Sequence, residues 1–250
     1  MNRLVSVLPR SALVGLALVI GTAWAGPPLE TDDPDTPGPG NWEINVASSL
    51  EKRGGTWEFT PMLDLNYGVG DRLQLKLKPR MVILDEPGRD TRSGLGNIQG
   101  GIKWRFLDEG DHGIAASVYP QLDFNPPGHS GARGLVDDGT GFYLPVQVAR
   151  TFCLTRLYAE TGANWREHRG SEWIAGLAAE HPLTDSFRLV GELRATWERG
   201  SRGPELLFNM GCKWSLLENL TVLASAGHTL REPRGEDGAF FSYFGLQTTF

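Results

Sequence analysis

The residues best placed to do chemistry are charged side chains that recur at every second position inside otherwise apolar stretches. Lys76, Lys78 and Arg80 share one parity of a segment whose other parity is Leu73, Leu75, Leu77 and Met81. Lys103 and Arg105 alternate in the same way with Ile102, Trp104 and Phe106. Arg188, Glu192 and Arg194 alternate with Phe187, Leu189, Leu193 and Trp197. Glu43, Glu58 and Asp64 occupy the polar parity of two earlier segments. On adjacent strands the five early cations would form a basic strip, and the three early carboxylates an acidic one. Facing strips across a pore set up a transverse field that orients polar solutes and filters ions. The same charges could instead pair with one another and fill a narrow interior. Both arrangements stay open here, because a barrel of about 12 strands lies between filled ones of about 8 and open ones of about 16.

No other group of residues forms a catalytic or ligand set. Asp32, Asp33 and Asp35 offer oxygens to Ca²⁺, but their spacing matches no established loop and Pro34 interrupts it, so a solvated acidic segment is the simpler reading. His129 and Ser130 are adjacent within PPGHSGARG, yet a hydrolase needs nucleophile, base and orienting group on a fixed surface, and this is a loop. His112, His168, His181 and His228 are scattered near segment ends without metal-ligand spacing. Gly94-Leu95-Gly96 has no helix after it to bind a phosphate. No catalytic residue, metal or cofactor is therefore expected. The formal charge of −6 argues against nucleic acid as a partner.

The segments that carry these charges are strands. From Asn41 to the end, period-two alternation dominates. It predicts about 12 strands, in the range of a closed antiparallel barrel, near 42–51, 57–67, 73–81, 98–106, 114–124, 141–151, 154–165, 172–181, 186–198, 204–214, 219–229 and 239–250. The eighth (SEWIAGLAAE) and eleventh (NLTVLASAG) are weak, because both faces are small or apolar. Pro61, Pro79, Pro120 and Pro145 fall inside strands, where each removes a ladder hydrogen bond and calls for a bulge. Links at 69–70, 108–111, 152, 184–185 and 216–218 are short. Those at 52–55, 84–97, 125–140, 166–171, 199–203 and 230–238 are mostly longer. Such alternation fits an outer-membrane barrel, with short periplasmic turns and long external loops, and an even strand count leaves both termini in the periplasm.

Two further features favour lipid over a soluble sandwich. Trp42, Trp57, Trp104, Trp165, Trp173, Trp197 and Trp214 all share the apolar parity and all fall near strand ends. With Tyr67, Phe106, Phe124, Phe142 and Phe187 they make two aromatic rings, as expected of anchors at the two membrane boundaries. A cation facing lipid at mid-strand would cost about 2–4 kcal/mol, so the charged parity must face the lumen. Mean hydropathy is −0.26, and beyond the N-terminus there is no run of about 20 apolar residues, which excludes helical spans.

Residues 1–25 read as a cleaved signal peptide: Arg3 and Arg10, the apolar run Ala12 to Ile20, then Ala23-Trp24-Ala25 as cleavage site, with Gly26 the first mature residue. The apolar run is too short for a spanning anchor. Residues 26–40 (GPPLETDDPDTPGPG) form an irregular periplasmic or lumenal leader, and 41–250 the barrel. Cys153 and Cys212 lie on distant strands and are not expected to pair. The chain ends in FFSYFGLQTTF, with Phe244, Leu246 and Phe250 on one face. This resembles the signal by which outer-membrane barrels are recognised by their assembly machinery.

PLETDDPDTPGPGNWEIN (Pro28 to Asn45), LDLNYGVGDRLQLK (Leu63 to Lys76) and SGLGNIQGGIKWRFLDE (Ser93 to Glu109) resemble the outer-membrane transporter family of the "MetA-pathway of phenol degradation" type. The likeness spans most of the mature chain and is strongest before residue 125. It implies a barrel in the outer membrane of a Gram-negative bacterium, with no catalytic residues to carry over. A passive channel for small solutes, hydrophobic or aromatic ones among them, is the first expectation. A non-conducting structural or adhesion barrel is the second. A barrel lipid hydrolase is the third, since outer-membrane phospholipase A is a barrel with a His–Ser pair. The partners expected are outer-membrane lipids and lipopolysaccharide, periplasmic chaperones, the assembly machinery and a small solute.

Overall fold

Alternating apolar and polar residues suit a strand with a different medium on each face, and fifteen strand segments form among the described residues of the computed structural model. It describes residues 26–125, 130–136, 139–167, 170–235 and 237–250. The expected signal peptide at 1–25, and with it His129 and His168, lies outside the described residues. The segments are β1 (Trp42–Arg53), β2 (Thr56–Val69), β3 (Leu73–Lys78), β4 (Met81–Asp85), β5 (Arg92–Leu95), β6 (Ile98–Leu107), the short helix α1 (Glu109–His112), β7 (Ala115–Val118) and β8 (Gln121–Phe124). Then follow β9 (Gly141–Phe152), β10 (Thr155–Arg166), β11 (Ser171–Pro182), β12 (Phe187–Glu198), β13 (Glu205–Leu217), β14 (Leu220–Arg231) and β15 (Ala239–Thr249).

All pairings are antiparallel, and β1 pairs with both β2 and β15, so the sheet closes on itself. β3 and β4, β5 and β6, and β7 and β8 are each one interrupted strand, which makes a barrel of twelve. The closing seam is bonded to its last residue: Phe250 N–H donates to Trp42 O at 3.1 Å, and Trp42 N–H to Phe250 O at 2.7 Å. Both chain ends of the barrel therefore sit at one rim.

The prolines explain two of the interruptions. Pro79 separates β3 from β4, and Pro120 separates β7 from β8. The four prolines gather at two seams. Leu63 N–H donates to Pro79 O one strand away from Pro61, and Tyr119 N–H donates to Pro145 O beside Pro120. Missing donors are thus concentrated where the ladder is already open, and the proline carbonyls still accept. Gly162 faces Pro145 across β9 and β10, where any Cβ would come within 2.7 Å of the Pro145 Cα.

Several expected boundaries shift. The strand expected at 73–81 and the one at 114–124 are each broken. The link expected at 84–97 contains β5, and that at 108–111 contains α1. The first loop is not long: Gly54 and Gly55 alone join β1 to β2, with φ of 56° and 90°. Two consecutive positive-φ glycines make the tight primed hairpin turn that matches strand twist. Both weakly patterned strands form in full as β11 and β14. Cys153, in a turn, and Cys212, in β13, are free.

The Gly162 contact sets a first test. Gly162→Val should force Pro145 aside and destabilise the barrel by about 1–3 kcal/mol, the usual cost of overpacking. The denaturant midpoint of the detergent-folded protein, followed by tryptophan fluorescence, should fall; an unchanged midpoint would contradict this pairing.

Candidate functional site

The outer surface is apolar. All seven expected tryptophan anchors are exposed, from 37% for Trp57 to 59% for Trp173. Register joins them into belts. At the rim bearing the chain ends, Trp42 is opposite Tyr67, Leu73 opposite Trp104, and Phe187 opposite Trp214. At the other rim, Phe124 is opposite Ile98, Phe142 is opposite both Leu122 and Trp165, and Trp173 opposite Trp197. The rings of Trp42 and Tyr67 lie 4.8 Å apart, and those of Phe142 and Trp165 5.8 Å apart. Between the belts lie exposed Leu75, Ile102, Val148, Leu157, Leu177 and Leu193. Phe244, Leu246 and Phe250 join this outer face at 56%, 42% and 66% exposure. Water would not tolerate so large a greasy band; a bilayer core would.

The interior is the reverse. Glu43, Asp64, Lys103, Glu160, Glu180, Glu192 and Lys213 are buried, with Asn45, Gln147 and Asn209 among them. Buried charges persist only when paired or hydrogen-bonded, and these are. Lys76 lies 3.3 Å from Asp64, Arg80 2.7 Å from Asp123, and Arg194 3.1 Å from Glu160. Glu180 holds Lys213 at 2.9 Å and Arg188 at 3.5 Å. Glu192 accepts from Asn209 at 2.9 Å, and Glu43 from Asn45 at 3.2 Å.

The basic and acidic strips do not confront each other across the pore. Asp64 on β2 is a strand neighbour of Lys76 on β3, so the charges meet side by side along the wall. Strands about 4.8 Å apart bring such side chains into pairing range, whereas the lumen would hold them apart. Lys78, Arg80 and Glu58 instead line a cavity of about 1040 Å³ that opens at the rim away from the chain ends. Glu51, Arg53, Arg166, Glu172 and Glu205 line the same mouth. A second cavity of about 560 Å³ continues inward and shares several of these residues.

The leader fills what lies beneath. It enters the lumen from the rim where β1 begins, with Gly40 N–H donating to Gly68 O at 2.9 Å and Ser225 Oγ donating to Pro28 O at 2.7 Å. Glu192 accepts the backbone N–H groups of Glu30 and Thr31 at 2.9 and 2.7 Å. Lys103 Nζ donates to Asp33 O at 2.7 Å and pairs with Asp32 at 3.1 Å. Arg156 pairs with Asp35 at 2.8 Å, and Arg105 stands 3.9 Å from the same carboxylate. Leu29 packs with Ala115, Ala149, Tyr158, Ala178 and Val190 in an apolar patch inside the lumen. Gly176 leaves room for Thr31, since a Cβ there would lie 2.2 Å from Thr31 Oγ1.

The small residues that blurred β11 and β14 are therefore the seat of the leader. Sequence reasoning missed this seat. Its signal was the loss of alternation itself, at Gly176, Ala178 and Ser225. The acidic triplet is not the solvated segment expected: Asp33 is buried, and Asp32 and Asp35 pair with Lys103 and Arg156 because the leader lies inside the lumen. Among the described residues no cluster of His, Cys, Asp and Glu could hold a metal ion. Ser130 is buried and its carbonyl accepts from Leu135 N–H at 3.0 Å, where the loop packs against β5.

No family model matches the sequence, and no curated protein does. Solved structures do. An outer membrane channel from Pseudomonas putida F1 superposes with a TM-score of 0.68 at 14% identity, over 84% of this chain and 94% of that one. The NanC porin gives 0.61 at 8% identity, over 82% and 98%. The KdgM porin in complex with disordered oligogalacturonate gives 0.56 at 8% identity, over 83% and 99%. At these identities the likeness is one of fold: closed outer-membrane barrels.

The leader's seat is sensitive to pH. Burial pushes the Asp33 carboxyl up to about 8. The neighbouring Asp35 and Asp32 add to this rise, and Lys103 and Arg156 oppose it. Burial raises Asp35 as well, against Arg156 and Arg105, whereas Asp32 is held low by Lys103 in spite of its burial. In water Asp33 would return to its ordinary 3.8. Between those values the seated leader holds a proton that the released one lacks. The Asp33 contribution to seating is therefore full near pH 4 and weakens as pH rises to about 8, a range in which Asp32 stays ionised on Lys103. Hydrogen-exchange protection of residues 29–35 should fall over that range in wild type but much less in Asp33→Asn. An equal pH response in both would contradict this assignment.

Proposed function

We propose that this chain is exported with removal of residues 1–25 and acts as a passive channel for small solutes in the outer membrane of a Gram-negative bacterium. The observation that carries the reading is the cavity of about 1040 Å³, lined by Glu58, Lys78, Arg80 and Arg166, inside a barrel whose exterior is apolar. A wet, charged interior within a greasy wall lowers the barrier for polar solutes and does nothing for a structural peg. The long loops around the mouth face outward, and the rim of the chain ends faces the periplasm, by the ordinary asymmetry of such barrels.

The fold likeness to the Pseudomonas putida channel and to two porins supports a transport role. It also supports kinship with the phenol-degradation-type transporter family suggested by the leader motif. In this reading the tryptophan belts seat the barrel among phospholipid and lipopolysaccharide. Phe244, Leu246 and Phe250, on the closing strand, are what the assembly machinery and chaperones would recognise. The wall pairs, such as Lys76 with Asp64 and Arg194 with Glu160, keep the lumen's cross-section. The leader sets the resting state, because it fills the lumen below the mouth.

Purified full-length protein in planar bilayers tests this. Wild type should give small or infrequent conductance steps. Gly176→Leu, whose side chain overlaps Thr31, should raise the open fraction several-fold. Silence in both proteins, with correct insertion shown by bilayer quenching of tryptophan, would overturn the channel reading.

A further inference from the structure

Resting on the channel reading, we infer that the leader is a built-in substitute for a carboxylate solute, and that its seat on Lys103, Arg105 and Arg156 is the lumen's binding site for small organic acids. These cations come from two strands, β6 and β10, and converge on one short stretch of leader. What they hold is chemically plain: the carboxylate of Asp32, the carboxylate of Asp35 and the carbonyl of Asp33. A fourth cation, Arg194, donates to Glu30 O at 3.0 Å.

Two features distinguish this seat from a structural ion-pair network. First, the wall has its own pairs elsewhere: Lys76 is matched by Asp64 and Lys213 by Glu180. Lys103 is different, because its ion-pair and hydrogen-bond partners, Asp32 and Asp33 O, both belong to the leader. It is 2% exposed and also lies 4.8 Å over the Tyr119 ring. A buried ammonium without a carboxylate is costly, so a departing leader leaves Lys103 to water or to another acid, and only the acid restores the lost ion pair.

Second, Arg105 and Arg156 each keep a wall partner, Asp108 at 2.7 Å and Glu109 at 3.1 Å. Glu109 fixes the Arg156 guanidinium at the turn and leaves Nη2 on Asp35 at 2.8 Å, while Arg105, which also donates to Asp71 O at 2.8 Å, backs the same carboxylate from 3.9 Å. That is a preorganised receptor for a carboxylate. A tethered segment presents its acids at an effective concentration in the mM range. A free organic acid at comparable concentration would compete, and the channel would open towards the solutes that resemble its own leader.

The test uses full-length protein with the seat weakened by Asp32→Asn and Asp35→Asn, in planar bilayers and in detergent solution. Succinate is the probe and succinamide its uncharged analogue. Succinate should interrupt the open current and bind in equilibrium dialysis. Succinamide should do so about tenfold or more weakly, the loss expected when charge-assisted hydrogen bonds are removed. Adding Lys103→Gln to the doubly substituted protein should weaken succinate to a similar degree. Arg188→Gln, which breaks a wall pair with Glu180 outside the seat, should leave succinate binding within about twofold. Equal potency of succinate and succinamide, or indifference to Lys103→Gln, would overturn this inference while leaving the channel reading intact. Absence of current in every variant would instead strike the channel reading, and dialysis would still decide whether the seat takes an acid.

Discussion

Backbone hydrogen bonding governs this molecule. In hydrocarbon, no water is available to satisfy an unpaired N–H or C=O, so a sheet can cross only if it has no edge. Pairing of β1 with both β2 and β15, completed by the reciprocal bonds of Trp42 and Phe250, removes the edge. Once the sheet is closed, its strands have one face in lipid and one in the lumen. Each residue's chemistry then follows from its parity. The prolines obey the same constraint, because they gather at two seams instead of opening four separate gaps.

The lumen must then manage a dense set of charges in a confined volume. Pairs between neighbouring strands, such as Lys76 with Asp64, neutralise the wall locally. They do not neutralise it all. Lys103, Arg105 and Arg156 look inward, and the leader answers them with Asp32 and Asp35. Glu192 works the other way, a wall carboxylate accepting from leader N–H groups. Filling of the lumen and neutralisation of the wall thus go together. The seat is held by ion pairs, backbone hydrogen bonds and the apolar contact of Leu29 together. The protonation of Asp33 biases its strength, because a carboxylate with little water around it favours the neutral form.

Much of this was legible in the residues. Period-two alternation located the strands, and seven tryptophans shared the parity of the outer face near strand ends. The exposed tryptophans and the buried Lys103, Glu43 and Asp64 sit on the faces that parity assigned them. These features are local: a strand's faces are set by its own neighbours in sequence, and the cost of charge in lipid is large enough to exclude the opposite assignment. The breaks at Pro79 and Pro120 and the two-glycine first hairpin were less legible, because a proline's effect depends on what lies across the ladder from it.

By itself, then, the sequence determined that the chain would form strands and which side of each would be the apolar outer one. Only the tertiary structure decided which charges pair, that the acidic strip adjoins the basic one instead of facing it, and that the leader from Pro28 to Asp35 occupies the lumen. The reason is distance along the chain. Asp32 and Lys103, or Asp35 and Arg156, are brought together only by closing the whole sheet, and no local period records a contact made across its interior.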